Sequence, residues 1–337
     1  MLDHKNIDPI KFENDYQPTL CIVVDTEEEF DWSKPHSRSE TSTLATKEQY
    51  RAQDIYEKYN AIPTYVMDYC ILNQDSSAAI MQKMYAEKIC EIGTHLHPWI
   101  NPPHDEEVNA YNSLHGNLPI ELERAKLNAL TDIFTDIFDR HPLVFKAGRN
   151  GVGPNTAQLL KEIGYKVDCS VVSYMNMNNE GGPNFLDLPD SPYWFGDNND
   201  MLEVPVTKGF FGNLRSLGHP MRKLIVSELS EKLRLRGIFS RLGFFDLATL
   251  TPEGLQENDL LPLIRSQIQD GHKVISLTYH SSTLKINGSP YVTCEEDRVT
   301  FLRTLDAVLN VFTNELGGRI ISMNQLHDEL IRKQHAA

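Results

Sequence analysis

The chain has 337 residues, 40% of them hydrophobic and 23% charged, an ordinary globular composition. No apolar run approaches the roughly 20 residues of a membrane-spanning helix, so no membrane span is expected. The formal net charge of −15, from 32 basic and 47 acidic residues, repels phosphate backbones and excludes nucleic acid as a partner.

In chain order, Met1-Leu2-Asp3-His4-Lys5-Asn6 shows no basic leader followed by an apolar segment, so a cytoplasmic location is expected. Leu20-Cys21-Ile22-Val23-Val24-Asp25 predicts a buried strand ending in a carboxylate, followed by the acidic run Glu27-Glu28-Glu29. Residues 47–59 predict a helix, 62–67 a strand, 77–88 a helix and 89–95 a strand ending at His95. A helix over 118–138 carries Pro119 in its first turn, where proline is tolerated. A strand at 143–147 precedes Arg149, and a helix over 155–163 stops at Gly164. Further strands fall at 167–172, 201–206 and 273–279. A helix over 295–316 ends at Gly317-Gly318 before a strand at 319–323. Residues 174–200 and 207–243 read as inserted loops, the second continuing as a helical stretch. It includes a cationic segment over 213–241 that is expected to be a solvated or subunit-pairing helix, or a rim that attracts anions. The five cysteines show no CxxC spacing, and four lie in apolar segments, as buried thiols would.

Strands alternating with helices predict an α/β fold with a mainly parallel sheet, and seven or eight such units over 1–337 fit one barrel domain. In such a barrel the carboxyl ends of the strands open on one face, so Asp25, Glu27, His95, His97, Arg149 and His280 can converge. His95 and His97 are two apart, point to one side of an extended backbone and can face one divalent ion. Pro98 favours that extended form in the residue before it. Two imidazoles and a carboxylate suit zinc or a similar metal ion. Asp25 ends an apolar strand, where a carboxylate is either paired or functional. Glu28 and Asp31 read as members of a solvated acidic run.

Val24-Asp25-Thr26-Glu27, Glu91-Ile92-Gly93-Thr94-His95-Leu96-His97-Pro98-Trp99, Lys146-Ala147-Gly148-Arg149 and Leu277-Thr278-Tyr279-His280-Ser281 resemble, in order and spacing, the motifs of NodB-type polysaccharide deacetylases (carbohydrate esterase family four). The likeness is greatest to WalW-type proteins associated with surface-glycan genes. The resemblance implies a distorted (β/α) barrel of about seven strands and hydrolysis of an N- or O-acetyl group. It makes Asp25 the base, His95 a metal ligand, Arg149 the residue that orients the base and His280 the acid.

Two positions depart from the family pattern. Asp25-Thr26-Glu27 replaces an adjacent aspartate pair, and Trp99 stands where a second histidine is usual, so Glu27 and His97 enter as substitute ligands. In a rival assignment Asp25 is the ligand. The expected cofactor is a divalent ion, zinc foremost, with cobalt, manganese or nickel as alternatives. The expected partner is an acylated carbohydrate or related small molecule, with an oligomer open. Trp99, Tyr193 and Trp194 are candidates for stacking on a sugar ring. The alternatives are a metal-free amidase on the same barrel and an inactive carbohydrate-binding protein.

Overall fold

A computed structural model describes residues 6–225 and 245–336. Its strands are β1 (Asp8–Pro9), β2 (Thr19–Thr26), β3 (Thr64–Met67), β4 (Glu91–Leu96), β5 (Val144–Ala147), β6 (Val167–Asp168), β7 (Tyr193–Phe195), β8 (Met201–Glu203), β9 (Lys208–Phe211), β10 (Asp246–Thr249), β11 (Val274–His280) and β12 (Arg319–Ile320). The described helices are α1 (Gln49–Lys58), α2 (Tyr69–Asn73), α3 (Asp75–Ala86), α4 (Ile120–Phe138), α5 (Thr156–Ile163), α6 (Gly218–Ile225), α7 (Glu257–Gln269), α8 (Glu295–Asn310) and α9 (Met323–Ala336). None is long and apolar enough to cross a membrane.

Seven strands run parallel in the order β11-β2-β3-β4-β5-β6-β8, with β12 also paired to the start of β2. Antiparallel β7 and β1 extend the β8 edge. The ring is completed without a regular ladder. Thr207 donates its N–H to the Ser276 carbonyl, Leu250 donates to Thr207, and Thr278 donates to Leu250. This is the expected distorted barrel of about seven strands.

Alternation along each strand decides what faces the interior. On β2, Leu20, Ile22 and Val24 join the larger core cluster, while Cys21 and Val23 join a second cluster with Val66, Val144, Val167, Leu202 and Val274. That second cluster fills the barrel, and Met323, Leu326 and Leu330 of α9 pack into it. Asp25 shares parity with Cys21 and Val23. On β5, Lys146 shares parity with Val144, and on β11, His280 shares parity with Val274. Polar residues at the carboxyl ends of these strands therefore continue the column of interior side chains.

Several strands are shorter than expected. The strand predicted at 167–172 ends at Asp168, because side chains take over the ladder. Asp168 accepts from the Ser170 amide, and Glu203 accepts from the Val171 amide. The one predicted at 201–206 loses its regular pairing near Pro205, which has no N–H to donate. The predicted helix at 295–316 changes to a π-turn over Val311–Glu315. The loop predicted at 174–200 contains β7. The cationic segment is only partly described: Arg215 pairs with Asp270, and Arg222 and Lys223 pair with Asp187. Lys232, Arg234, Arg236 and Arg241 lie outside the described residues.

Candidate active site

A cavity of about 780 Å³ opens at the carboxyl ends of the strands and is lined by Asp25, Glu27, His95, His97, Lys146 and His280 among others. Its floor has two halves, one built from acceptors and one from an acid–base pair.

In the first half, Glu27, His95 and His97 point their acceptor atoms at one another. His95 Nε2 and His97 Nε2 are 3.1 Å apart. Glu27 Oε2 lies 3.4 Å from the first and 3.3 Å from the second. Each ring is held from behind. His95 Nδ1 faces the Lys146 carbonyl at 3.1 Å and His97 Nδ1 faces Glu28 Oε2 at 2.8 Å. Both contacts call for a proton on Nδ1, which leaves both Nε2 atoms as bare lone pairs. Three acceptors then meet with no donor between them, and Glu27 Oε1 is buried without a hydrogen-bond partner. A cation resolves this repulsion. The separations are close to the roughly 3.3–3.4 Å edge that a tetrahedral ion with ligands at about 2.0–2.1 Å imposes. The donor set thus fits a zinc-like ion. Burial, the largest cause, pushes Glu27 up to about 7, with Asp25 and Asp68 adding to the rise and His280 and His97 opposing it. Burial lowers His95 well below the usual imidazole range and lowers His97 as well.

A second layer fixes this trio. Glu28 was expected in a solvated run, but it is fully buried and accepts from both His97 and Trp99, the latter from Nε1 at 2.9 Å. Its own amide donates to Asp68 Oδ2 at 2.7 Å. Burial, the largest cause for each, pushes Glu28 up to about 8 and Asp68 well above the carboxylate range, and Glu28 raises Asp68 further. Gly148 completes the support. A Cβ there would lie 2.3 Å from His97 Cδ2 and 2.5 Å from the Leu96 carbonyl, so only glycine lets the imidazole seat.

In the second half, Asp25 and His280 are register partners on β2 and β11. Asp25 Oδ2 lies 3.8 Å from His280 Nε2. Lys146 Nζ grips both Asp25 oxygens at 2.7 Å and also donates to Thr278 Oγ1 at 2.8 Å. Glu253 accepts from His280 Nδ1 at 2.9 Å and from the His280 amide at 3.0 Å. Burial alone would lower His280, but Glu253, Glu27 and Asp25 together raise it to about 10, so its ring is cationic at neutral pH. Trp32 stands edge-on to the His280 ring with centroids 4.7 Å apart.

The structure therefore brings Asp25, Glu27, His95, His97 and His280 together as expected. Four other expectations are corrected. Arg149 does not hold Asp25. Its φ of 53° turns the side chain toward the cavity mouth, where it pairs with Glu180 at 2.6 Å and donates to Ser113. Lys146 does the holding instead. Trp99 is 2% exposed and does not reach the cavity. It stacks behind His97, with centroids 4.2 Å apart. Tyr193 and Trp194 are buried on β7 at the sheet edge and do not line the cavity, so they cannot stack on a ligand there. The aromatic wall is made by Phe30, Trp32 and Tyr291.

Lys146 carries a signal of its own in the sequence: a lone lysine in an apolar strand calls for a buried partner, as Asp25 does. Glu253 and Glu28 carried none, since each reads locally as a loop acid.

No protein-family model matches the chain, and no curated protein matches it. Solved structures do. One is assigned as a polysaccharide deacetylase from Mycobacterium smegmatis, 14% identical, with 97% of this chain and 94% of that chain covered and a TM-score of 0.56. Another is the Puue allantoinase, 15% identical over 92% of this chain and 89% of its own, with a TM-score of 0.53. A third is assigned as a polysaccharide deacetylase from Pseudomonas aeruginosa PAO1, 14% identical, covering 93% and 91%, with a TM-score of 0.52. Across nearly its whole length, the chain has the distorted barrel fold of these proteins.

Proposed function

We propose that the protein is a hydrolase that removes an acyl group, acetyl foremost, from an amide or ester of a carbohydrate or related small molecule, with help from a divalent ion. The observation that carries this reading is the trio Glu27, His95 and His97, whose unshared acceptors face the cavity beside Asp25 and His280. Glu27, His95 and His97 would hold the ion, zinc by preference, with cobalt, manganese or nickel as alternatives. When bound, the ion would polarise the acyl carbonyl and lower the pKa of water. Asp25, held by both oxygens on Lys146, would take a proton from the attacking water. His280, cationic through Glu253, would give a proton to the leaving nitrogen or oxygen. Asp25 and His280 lie 3.8 Å apart on the cavity floor, so both would contact the same reacting group. Arg149 lies at the mouth and is assigned to the substrate's outer part rather than to the base.

Elemental analysis of protein purified without added metal or chelator, followed by an acetate-release screen, tests this. One equivalent of ion is expected, together with turnover that Asp25→Asn loses while the ion stays bound. Turnover that persists in metal-stripped protein would overturn the metal-assisted reading.

A further inference from the structure

The loops beyond the strand ends are fastened to one another all round the cavity mouth. Arg38, after β2, donates to the carbonyl and carboxylate of Glu106, after β4. Arg149, after β5, donates to Ala110 and Ser113 in the loop after β4 and pairs with Glu180 after β6. A bridge joins Val172 to Val206, and the Leu250 amide continues the chain of contacts to Thr207. Glu253 ties that segment to His280 and Thr283. Lys285 then pairs with Glu29, and Tyr291 packs edge-on to Trp32 with centroids 5.7 Å apart, which returns the ring to the loop after β2.

A polymer bound by an interior residue needs a groove that leaves the site in two directions. Among the described residues, the loops that line the cavity are each joined to the next around the mouth, which favours entry from above over a groove that runs across it. The cavity's size falls within the range of roughly 300–1,000 Å³ of small-molecule sites. Its walls suit one inserted ring: Trp32 and Tyr291 stand on one side, and Val206, Met175 and Met177 contribute apolar surface.

We infer that the substrate is a small acylated molecule, or the terminal residue of a chain, admitted end-on, and not an interior residue of a polymer. This rests on the hydrolytic reading above.

The test uses the full-length, metal-loaded protein with 4-nitrophenyl acetate, N-acetylglucosamine oligomers from monomer to hexamer, and glycol chitin. Acetate is quantified, and the deacetylated position in the hexamer is located by mass spectrometric sequencing. Release from the small probes, with loss confined to a terminal sugar of any oligomer used, is the expected result. Deacetylation at interior sugars of the hexamer, or a rate per acetyl group on glycol chitin equal to that on the small probes, would overturn the inference and leave the hydrolytic reading standing. Absence of acetate from every probe would overturn the hydrolytic reading, and this inference with it.

Discussion

Replacing Glu28 by glutamine tests whether the buried layer behind His97 controls the ion site. Glu28 accepts two hydrogen bonds at once, from His97 Nδ1 and from Trp99 Nε1. Glutamine has one acceptor oxygen and one donor group, so it can satisfy only one of them. If its oxygen stays on Trp99, its amide faces His97 Nδ1 and favours the tautomer with the proton on Nε2, which removes the lone pair aimed at the ion. If its oxygen turns to His97, the buried Trp99 N–H is left without an acceptor, at a cost of about 1–3 kcal/mol in stability. Changes in the partners behind metal-bound histidines lower metal affinity about 10–100-fold, which is about 1.4–2.7 kcal/mol. Because burial raises Glu28 to about 8, the carboxylate that accepts both bonds is fully formed only above that pH. The difference between the two proteins should therefore be largest above pH 8 and narrow toward pH 6. Competition with a chromophoric chelator across this range measures it. Equal zinc affinity in variant and parent above pH 8 would refute the reasoning.

Three further outcomes follow from other contacts. Gly148→Ala places a Cβ 2.3 Å from His97 Cδ2, so it should weaken zinc binding by at least as much as Glu28→Gln, and an unchanged affinity in the chelator assay would count against the seating of His97. Glu253→Gln removes the carboxylate that contributes most to raising His280 to about 10. The basic limb of the pH–rate profile should then move to lower pH, with a smaller loss of rate than the 10²–10⁴-fold on the order expected for His280→Ala, and a stationary limb would sink the role of Glu253. Asp168 and Glu203 are adjacent register partners; burial first, and then each other's company in the case of Glu203, raises Asp168 to about 6 and Glu203 well above the usual range. A carboxyl raised on folding adds stability below its unfolded value and loses it as pH climbs through the folded one. Glu203→Gln should therefore melt like the parent near pH 4 and above it at pH 8, and parallel melting curves at all pH values would refute this.

The sequence carried most of the site because strand alternation is a strong constraint. Asp25, His95, His97 and His280 lie at strand ends, and period two places each of them inside once the neighbouring apolar residues are assigned. The same rule applied to Val144-Phe145-Lys146 puts the lysine inside the barrel as well, whereas Arg149 lies past the strand, in a turn whose positive φ no spacing rule reveals. The helix α7 is masked in the sequence by Pro262, which interrupts Leu260, Leu263 and Ile264 although these keep helical spacing. The aromatic candidates failed for another reason. Aromatic side chains fill cores as readily as they line clefts, and only tertiary placement separates Trp99 and Trp194 from Trp32.

The proposed division of labour between Asp25 and Glu27 rests on charge already in place. Both carboxylates leave the same strand end, and both are almost wholly buried. A buried carboxylate requires a positive partner or enough donors to replace water. Asp25 has its cation within the chain: Lys146 spans both of its oxygens and donates a third bond to Thr278. An ion placed on those oxygens would face the ammonium across the same two atoms. Glu27 has no such partner. Its nearest groups are imidazole nitrogens whose protons are committed elsewhere, and one of its oxygens has no hydrogen-bond partner. The unsatisfied charge and the unsatisfied lone pairs thus lie at one point, and the satisfied carboxylate lies beside it, facing a cationic imidazole. A metal ligand needs the first environment and a general base needs the second, so in the proposed mechanism the lysine on β5 would leave the ion to Glu27 and the proton to Asp25.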